Sequence, residues 1–279
     1  HGRTPTPLNN PAPMLDRPVA TATPPARAHA TLQPQRRGII DVYFVGVAAY
    51  AEEEVFRLET EVIETMMNER FDTQGRSLTL INNPATMLER PVATATNLAR
   101  ALAHIGGLID PAEDVLVLYF TSHGARTHEL SMSFIPLRLE PVTPQSLADM
   151  LDAAGIRWRV LAISACYSGG YIPALANAQT LVMTAAEATR TSFGCGAASD
   201  FTYWGKAVFD EQLRRTFSFA EAFDRALPVL RERETAAGHP FSNPQISVGS
   251  QIAERLNRLE QRLQRRAERA PTGAAPATR

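Results

Sequence analysis

An α/β three-layer αβα sandwich around a mostly parallel, six-stranded sheet is the fold that this sequence predicts. Short apolar runs rich in β-branched residues recur along the chain, and small or glycine residues follow them. Segments with the apolar spacing of a helix separate these runs. Strands that alternate with helices favour a parallel sheet with helices packed on both faces, so three layers are expected.

The individual elements can be placed in order along the chain. Strands are predicted at residues 39–47, 77–81, 115–120, 159–163, 180–185 and 244–248. Helices are predicted at residues 52–70, 97–105, 144–154, 203–214 and 219–234, with an amphipathic helix at the C-terminal end at 251–268. The sequence thus predicts one domain over residues 38–250, followed by that helix.

Both ends of the chain have the composition of disordered tails. Residues 1–37 hold eight prolines and show no apolar periodicity, and residues 269–279 are similarly biased. The tail segment 9–23 recurs at 82–96 with only two differences. We interpret the repeat as an inert duplication; the alternative is a tethered pseudo-substrate that visits the catalytic cleft.

Composition excludes several classes of function. The 279 residues are 44% hydrophobic with a net charge of −1, which is typical of a soluble protein and argues against a nucleic-acid partner. No apolar run reaches the roughly 18 residues that a membrane span needs. Two cysteines supply neither a disulfide framework nor a Cys-rich zinc site, and no cofactor-binding motif occurs, so neither metal nor cofactor is expected. The chain begins with His1 and not Met, so a processed form of an exported or membrane-tethered protein is as compatible with the sequence as a soluble one. The sequence predicts neither the compartment nor the oligomeric state.

Two predicted strands run into side chains that can carry chemistry. The third strand leads into Ser122-His123-Gly124, and the fourth leads into Ala165-Cys166. Chemistry in an open parallel sheet gathers outside the carboxyl ends of the strands, so His123 and Cys166 should lie side by side. A cysteine attacks as its thiolate, and histidine can take up and return its proton near neutral pH.

The residues around this pair supply candidates for stabilising a developing negative charge. The backbone N–H groups of Gly124 and Cys166 are the candidate oxyanion hole. Taken singly, a cysteine at a strand end is most often a small buried apolar residue, and a single histidine is most often structural. The combination on two strand ends favours catalysis.

The strings YFTSHG and ISACYSGG resemble the two signature segments of the legumain (haemoglobinase) family of cysteine peptidases. That family has the caspase-like fold. The resemblance extends from about residue 39 to about residue 252 and includes SFGC at 192–195, TYWG at 202–205 and NPQISVG at 243–249. It implies that His123 is the catalytic histidine, that Cys166 is the nucleophile, and that a peptide or protein is cleaved through an acyl-enzyme thioester.

The chain departs from legumain at two places linked to substrate choice. Legumain has an acidic residue two positions before the nucleophile and an Arg-His pair after the first strand. This chain has Ser164 at the first place and VAAYA, residues 47–51, at the second. The resemblance therefore does not carry a preference for asparagine. Ser164 and Asp200, the nearest acidic residue in the loop after Cys195, are the candidates for substrate binding.

Three alternatives use the same residues differently. A transamidase or peptide ligase would resolve the thioester with an amine instead of water. A caspase-like pseudoenzyme would keep the fold as a binding module. A redox sensor would pair Cys166 with Cys195, although no CxxC spacing is present.

Overall fold

The computed structural model describes residues 32–196 and 199–269. Their centre is a six-stranded sheet in the order β2-β1-β3-β4-β5-β6. β1 to β5 are parallel, and β6 pairs antiparallel with β5 at the edge. The strands are β1 (Val42–Ala48), β2 (Ser77–Ile81), β3 (Val115–Thr121), β4 (Trp158–Ser164), β5 (Thr180–Thr184) and β6 (Gln245–Val248). The predicted order of strands and the mostly parallel sheet are confirmed.

Helices connect the strands and complete the sandwich. They are α1 (Glu54–Arg70), α2 (Ala95–Gly106), α3 (Pro144–Ala153), α4 (Ile172–Leu175), α5 (Tyr203–Gly205), α6 (Phe219–Ala236) and α7 (Ser250–Arg269). A single 3₁₀ turn, Ser168–Tyr171, precedes α4, and a π-helical segment, Lys206–Gln212, follows α5. No helix among the described residues is both long enough and apolar enough to cross a membrane.

Side-chain alternation in the strands divides the core into two layers. In β3, Val117 and Tyr119 face one cluster, and Leu116 and Leu118 face the other. The first cluster lies under α1, α6 and α7, and the second lies under α2 and α3. A strand buried on both faces has no polar side to mark its orientation, which is why these strands read as continuous apolar runs.

The sequence predicted one helix over residues 203–214, and the structure divides this segment in two. α5 is a single turn, and residues Lys206–Gln212 continue as a π-helix, in which the Leu213 N–H donates to the Val208 carbonyl (2.8 Å). Over seven residues the apolar spacings of an α-helix and a π-helix are too similar to separate. The sequence pattern could therefore locate the helix but not its winding.

One half-buried carboxylate links the two ends of the described chain. Asp72 forms ion pairs with Arg36 (2.6 Å), which precedes β1, and with Arg262 (2.8 Å) and Arg266 (3.4 Å) of α7. Residues 32–37, which the sequence assigned to the tail, thus contact the domain. The remainder of that tail and residues 270–279 lie outside the described residues.

The second copy of the repeated segment follows β2 at the carboxyl edge of the sheet. Its Asn82 side chain donates to the Ala49 and Ala93 carbonyls (both 2.9 Å) and is buried. Met87 and Leu88, in contrast, are exposed. The first copy, residues 9–23, lies outside the described residues, so the pseudo-substrate hypothesis stays a prediction.

Candidate active site

The register of β3 and β4 places the predicted histidine and cysteine beside each other. Thr121, the last residue of β3, lies opposite Ser164, the last residue of β4. Each reactive residue follows two positions later, and the Ser122 N–H donates to the Ser164 carbonyl (3.2 Å) between them. His123 and Cys166 therefore leave the sheet at one edge, from neighbouring strands.

Gly124 allows the two strand exits to approach closely. A Cβ at Gly124 would lie 2.0 Å from the Cys166 carbonyl oxygen, so only glycine fits without movement. Gly124 forms an antiparallel bridge with Leu130, and two backbone hydrogen bonds flank it. The Ala125 N–H donates to the Glu129 carbonyl, and the Ser131 N–H donates to the His123 carbonyl. Within the described residues, neither the Gly124 N–H nor the Cys166 N–H donates a hydrogen bond. Both candidate oxyanion donors are thus available to a ligand.

The Cys166 thiol contacts the loop that follows β5. Its Sγ accepts from the Ser192 N–H (3.3 Å) and lies 3.5 Å from the Ser192 carbonyl oxygen and 3.7 Å from the Ser192 hydroxyl. The next residue, Tyr167, has a left-handed backbone (φ 57°), and its N–H donates to the Arg190 carbonyl (2.7 Å). A tyrosine in this conformation is held at a cost of roughly 1–3 kcal/mol, so surrounding contacts must fix this turn.

The His123 imidazole is held by an acid and two rings. Its Nε2 lies 3.1 Å from Oε1 of Glu53, the residue before α1. The rings of Tyr50 and Phe56 meet the imidazole edge to face at centroid distances of 4.6 and 5.3 Å. These contacts leave the imidazole about one-third exposed at the sheet edge, so it is accessible to a ligand.

The second cysteine lies closer to this histidine than the sequence suggested. The ligand atoms of Glu53, His123 and Cys195 all lie within 4.8 Å of one another. Burial, together with the nearby Glu53 carboxylate and Cys166, raises the pKa of the Cys195 thiol. His123 and Cys166 share no hydrogen bond with each other; the Cys166 thiol contacts Ser192, and the imidazole contacts Glu53.

Ser164 lies beneath the site and not on its surface. It is 2% exposed, and its hydroxyl shares a hydrogen bond with the Thr202 hydroxyl (3.1 Å). Alternation along β4 explains this, because Ser164 continues the face of Val160 and Ala162, which points towards α1. Ser164 is thus packed against Thr202 under the edge where His123 and Cys166 leave the sheet, and its predicted contact with a substrate stays a prediction.

A buried acid secures the floor of the site. The Glu59 carboxylate, on α1, accepts from the Thr121 hydroxyl and from the Thr202 N–H and hydroxyl (both 2.9 Å). Burial raises the pKa of Glu59, although each of these donors opposes the rise. One side chain thus ties α1 to the end of β3 and to the loop that carries Cys195.

Asp200, the other substrate-binding candidate, is exposed and makes no hydrogen bond or ion pair with any described residue. A different cavity, of about 240 Å³, opens beside Tyr167. Its walls carry two cationic side chains: Arg126, whose guanidinium lies 5.4 Å from the centroid of the Tyr167 ring, and Arg190, which pairs with Glu187 (2.9 Å). This cavity is next to the candidate nucleophile and has two cationic side chains in its wall.

Sequence reasoning missed Glu53, Glu59 and the proximity of Cys195 to His123. The sequence did contain an indication of Glu53. The acidic run 52–54 comes soon after β1, whose carboxyl end lies at the same edge of the sheet as His123 and Cys166. Glu59 sits among apolar helix positions and carried no such signal. The position of Cys195 depends on a loop with no periodicity.

The fold and this edge together define an α/β sandwich protein with a cysteine and a histidine on paired strand ends. The sequence model of the Peptidase C13 family, the legumain family, matches residues 107–250, which is just over half of the chain. The chain belongs to the Peptidase C13 family. The recognition of this family from the two signature segments is therefore confirmed.

Two further comparisons complete the picture. The chain is similar to the crystal structure of Caspase-1 from Spodoptera frugiperda, with 13% identity and a TM-score of 0.48, over 78% of this chain and 88% of that one. No curated protein sequence matches this chain.

Proposed function

We propose that this protein is a cysteine endopeptidase in which Cys166 is the nucleophile and His123 is the general acid and base. Membership of the Peptidase C13 family supports the class of reaction and implies peptide or protein substrates. The observation that carries the residue assignment is the register of β3 and β4. It brings both side chains to one edge, with Gly124 against the Cys166 carbonyl.

The contacts of His123 suggest which nitrogen exchanges the proton. Glu53 Oε1 lies at hydrogen-bonding distance from Nε2, so we assign the imidazole proton to Nε2. The neutral ring then has Nδ1 as its proton acceptor. Glu53 is a positioning residue in this scheme, because it fixes the tautomer and orientation of the ring and does not touch the substrate.

The reaction follows from this assignment. Nδ1 takes the Cys166 proton, and the thiolate attacks the scissile carbonyl to form a tetrahedral intermediate. The N–H groups of Gly124 and Cys166 stabilise its oxyanion. His123 returns the proton to the departing amine as the C–N bond breaks, which leaves a thioester on Cys166. Water, deprotonated by His123, then hydrolyses the thioester and releases the acid.

The proposal is tested with Cys166→Ala and with thiol labelling in a Cys195→Ser protein, where Cys166 is the remaining cysteine. Cys166→Ala should stay folded and lose peptide cleavage. In the Cys195→Ser protein, iodoacetamide should alkylate Cys166 at neutral pH, and a His123→Ala change should slow that alkylation.

Two outcomes would contradict this assignment. Cleavage by the Cys166→Ala protein would exclude Cys166 as the nucleophile. Absence of both cleavage and alkylation in folded protein would favour the pseudoenzyme. Products joined to an added amine, in place of hydrolysed products, would keep the dyad but assign the ligase reaction.

A further inference from the structure

The cluster of Glu53, His123 and Cys195 has the chemistry and spacing of a transition-metal site. A glutamate oxygen, an imidazole nitrogen and a cysteine sulfur all lie within 4.8 Å of one another. The distance between Glu53 Oε1 and His123 Nε2 is 3.1 Å. Two ligands about 2.0–2.1 Å from a tetrahedral ion are separated by roughly 3.3 Å, so this pair is already close to that geometry.

A second observation at the same place points to a cation. The other oxygen of the carboxylate, Glu53 Oε2, is buried and has no hydrogen-bond partner among the described residues. An unpaired buried acceptor is unfavourable, and a cation at the cluster would satisfy it. All three side chains are half-buried, so an ion can reach them from solvent.

The surrounding residues hold the ligands in place. Tyr50 and Phe56 fix the imidazole ring from two sides, and Glu53 lies directly before α1. The Cys166 thiol is engaged by Ser192 and does not belong to the cluster. The metal ligands therefore form a set distinct from the nucleophile, although they share the histidine.

We propose that Glu53, His123 and Cys195 bind a Zn²⁺ ion that inhibits the peptidase; the inhibition, unlike the binding, depends on the function proposed above. Mixed sulfur, nitrogen and oxygen ligands suit zinc, whereas Mg²⁺ and Ca²⁺ require oxygen ligands. Three protein ligands leave the fourth tetrahedral position to water.

The bonding changes explain why bound zinc would block catalysis. Zn²⁺ replaces the thiol proton of Cys195, which passes to solvent. It binds the Nε2 lone pair of His123, so the proton on Nε2 passes to solvent and Nδ1 takes up a proton from solvent in its place. A neutral ring bound through Nε2 carries its proton on Nδ1. Nδ1 is the atom assigned to take the proton of Cys166, so the metal-bound histidine cannot act as the base.

Binding is tested with Co²⁺ as a spectroscopic substitute for zinc, in the Cys166→Ala protein, so that neither catalysis nor the second thiol contributes. Stoichiometric Co²⁺ should give the intense visible bands of a tetrahedral site and a thiolate-to-cobalt charge-transfer band, and Zn²⁺ should abolish both. Adding Cys195→Ser should remove the charge-transfer band. Glu53→Gln should weaken binding by at least about 10-fold, because loss of a direct ligand should cost no less than loss of an outer-shell partner.

Glu52→Gln is the matched control, because Glu52 is the neighbouring carboxylate and bonds instead to the Ser133 hydroxyl (2.7 Å). It should leave Co²⁺ affinity unchanged. Absence of tetrahedral bands, or a charge-transfer band that survives Cys195→Ser, would refute the site. So would bands that appear in the wild type and vanish in Cys166→Ala, since the metal would then use the nucleophile.

Inhibition is measured separately on the wild-type protein. Zn²⁺ should stop peptide cleavage, and a chelator should restore it. Glu53→Gln should need at least about 10-fold more Zn²⁺ for the same fractional loss, because loss of a direct ligand should cost no less than loss of an outer-shell partner. Metal binding without inhibition would refute the regulatory part alone. A protein that binds Co²⁺ as expected but cleaves no peptide would refute the proposed peptidase and leave the metal site intact.

Discussion

Replacing Gly124 with alanine tests whether the close contact between the two strand exits matters for catalysis. The new Cβ would lie 2.0 Å from the Cys166 carbonyl oxygen, whereas ordinary contact begins near 3.4 Å. The loops that carry His123 and Cys166 must therefore separate by more than about 1 Å. A displacement of about 1 Å can cost 100-fold in rate, so kcat/KM should fall by about 100-fold, or about 2.7 kcal/mol of transition-state stabilisation.

Gly106→Ala provides a control with the same steric conflict at a different place. Its Cβ would also lie 2.0 Å from a backbone carbonyl, that of Ala154, at the end of α2 and outside the strand exits that carry His123 and Cys166. Both variants should lose roughly 1–3 kcal/mol of unfolding free energy from overpacking. Only Gly124→Ala should lose activity per folded molecule, measured with a fluorogenic peptide and active-site titration. A folded Gly124→Ala protein with kcat/KM within about threefold of wild type would refute the reasoning.

Four other predictions concern the residues around the site and the ends of the domain. Burial raises the pKa of Glu59, so the protonated form stabilises the fold. That stabilisation is complete at acid pH and is lost as the pH rises through the raised pKa. Urea unfolding should show this fall of the unfolding free energy with pH in wild type and not in Glu59→Gln. Glu59→Ala should cost roughly 1–3 kcal/mol of unfolding free energy for each buried donor that it leaves unpaired on Thr121 and Thr202, and the cost should be larger at acid pH, where the protonated carboxyl stabilises the fold most; an unchanged unfolding midpoint would exclude that role. Arg126→Glu should reduce any preference for acidic side chains in a peptide-library cleavage profile, and an unaltered profile would remove the cavity beside Tyr167 from substrate recognition. Burial alone would raise the pKa of Asp72, but the hydrogen bonds from Arg36 and Arg262 outweigh burial and lower it. The unfolding free energy of wild type should therefore fall as the pH falls through the lowered pKa, and Asp72→Asn should show a smaller fall in urea unfolding.

The sequence was informative wherever a pattern extended over several residues. The apolar runs of β3 and β4 predicted two buried parallel strands, and the general rule for strand ends then predicted the shared position of His123 and Cys166. The signature segments after these strands identified the family, which the Peptidase C13 match confirms. Local patterns and general topology were sufficient for this much.

Features that depend on side-chain direction or on loop paths could not be predicted. Ser164 was a candidate for substrate contact because of its distance in sequence from Cys166, but strand alternation turns it towards Thr202. Cys195 reaches the vicinity of His123 through a loop whose composition specifies no path. Glu59 had no visible partner because Thr121 and Thr202 are 62 and 143 positions away in the chain.

The ion pairs at Asp72 have a practical consequence for any shortened or fused form of this protein. Cutting before α7 would remove two of the three arginines that neutralise this half-buried acid. It would also remove the apolar stripe of Ile252, Leu259 and Leu263 and so expose the core residues that this stripe covers. Starting the chain after Arg36 would remove the third arginine. Expression boundaries should therefore keep residues 32–269 together, and affinity tags should be added outside both limits.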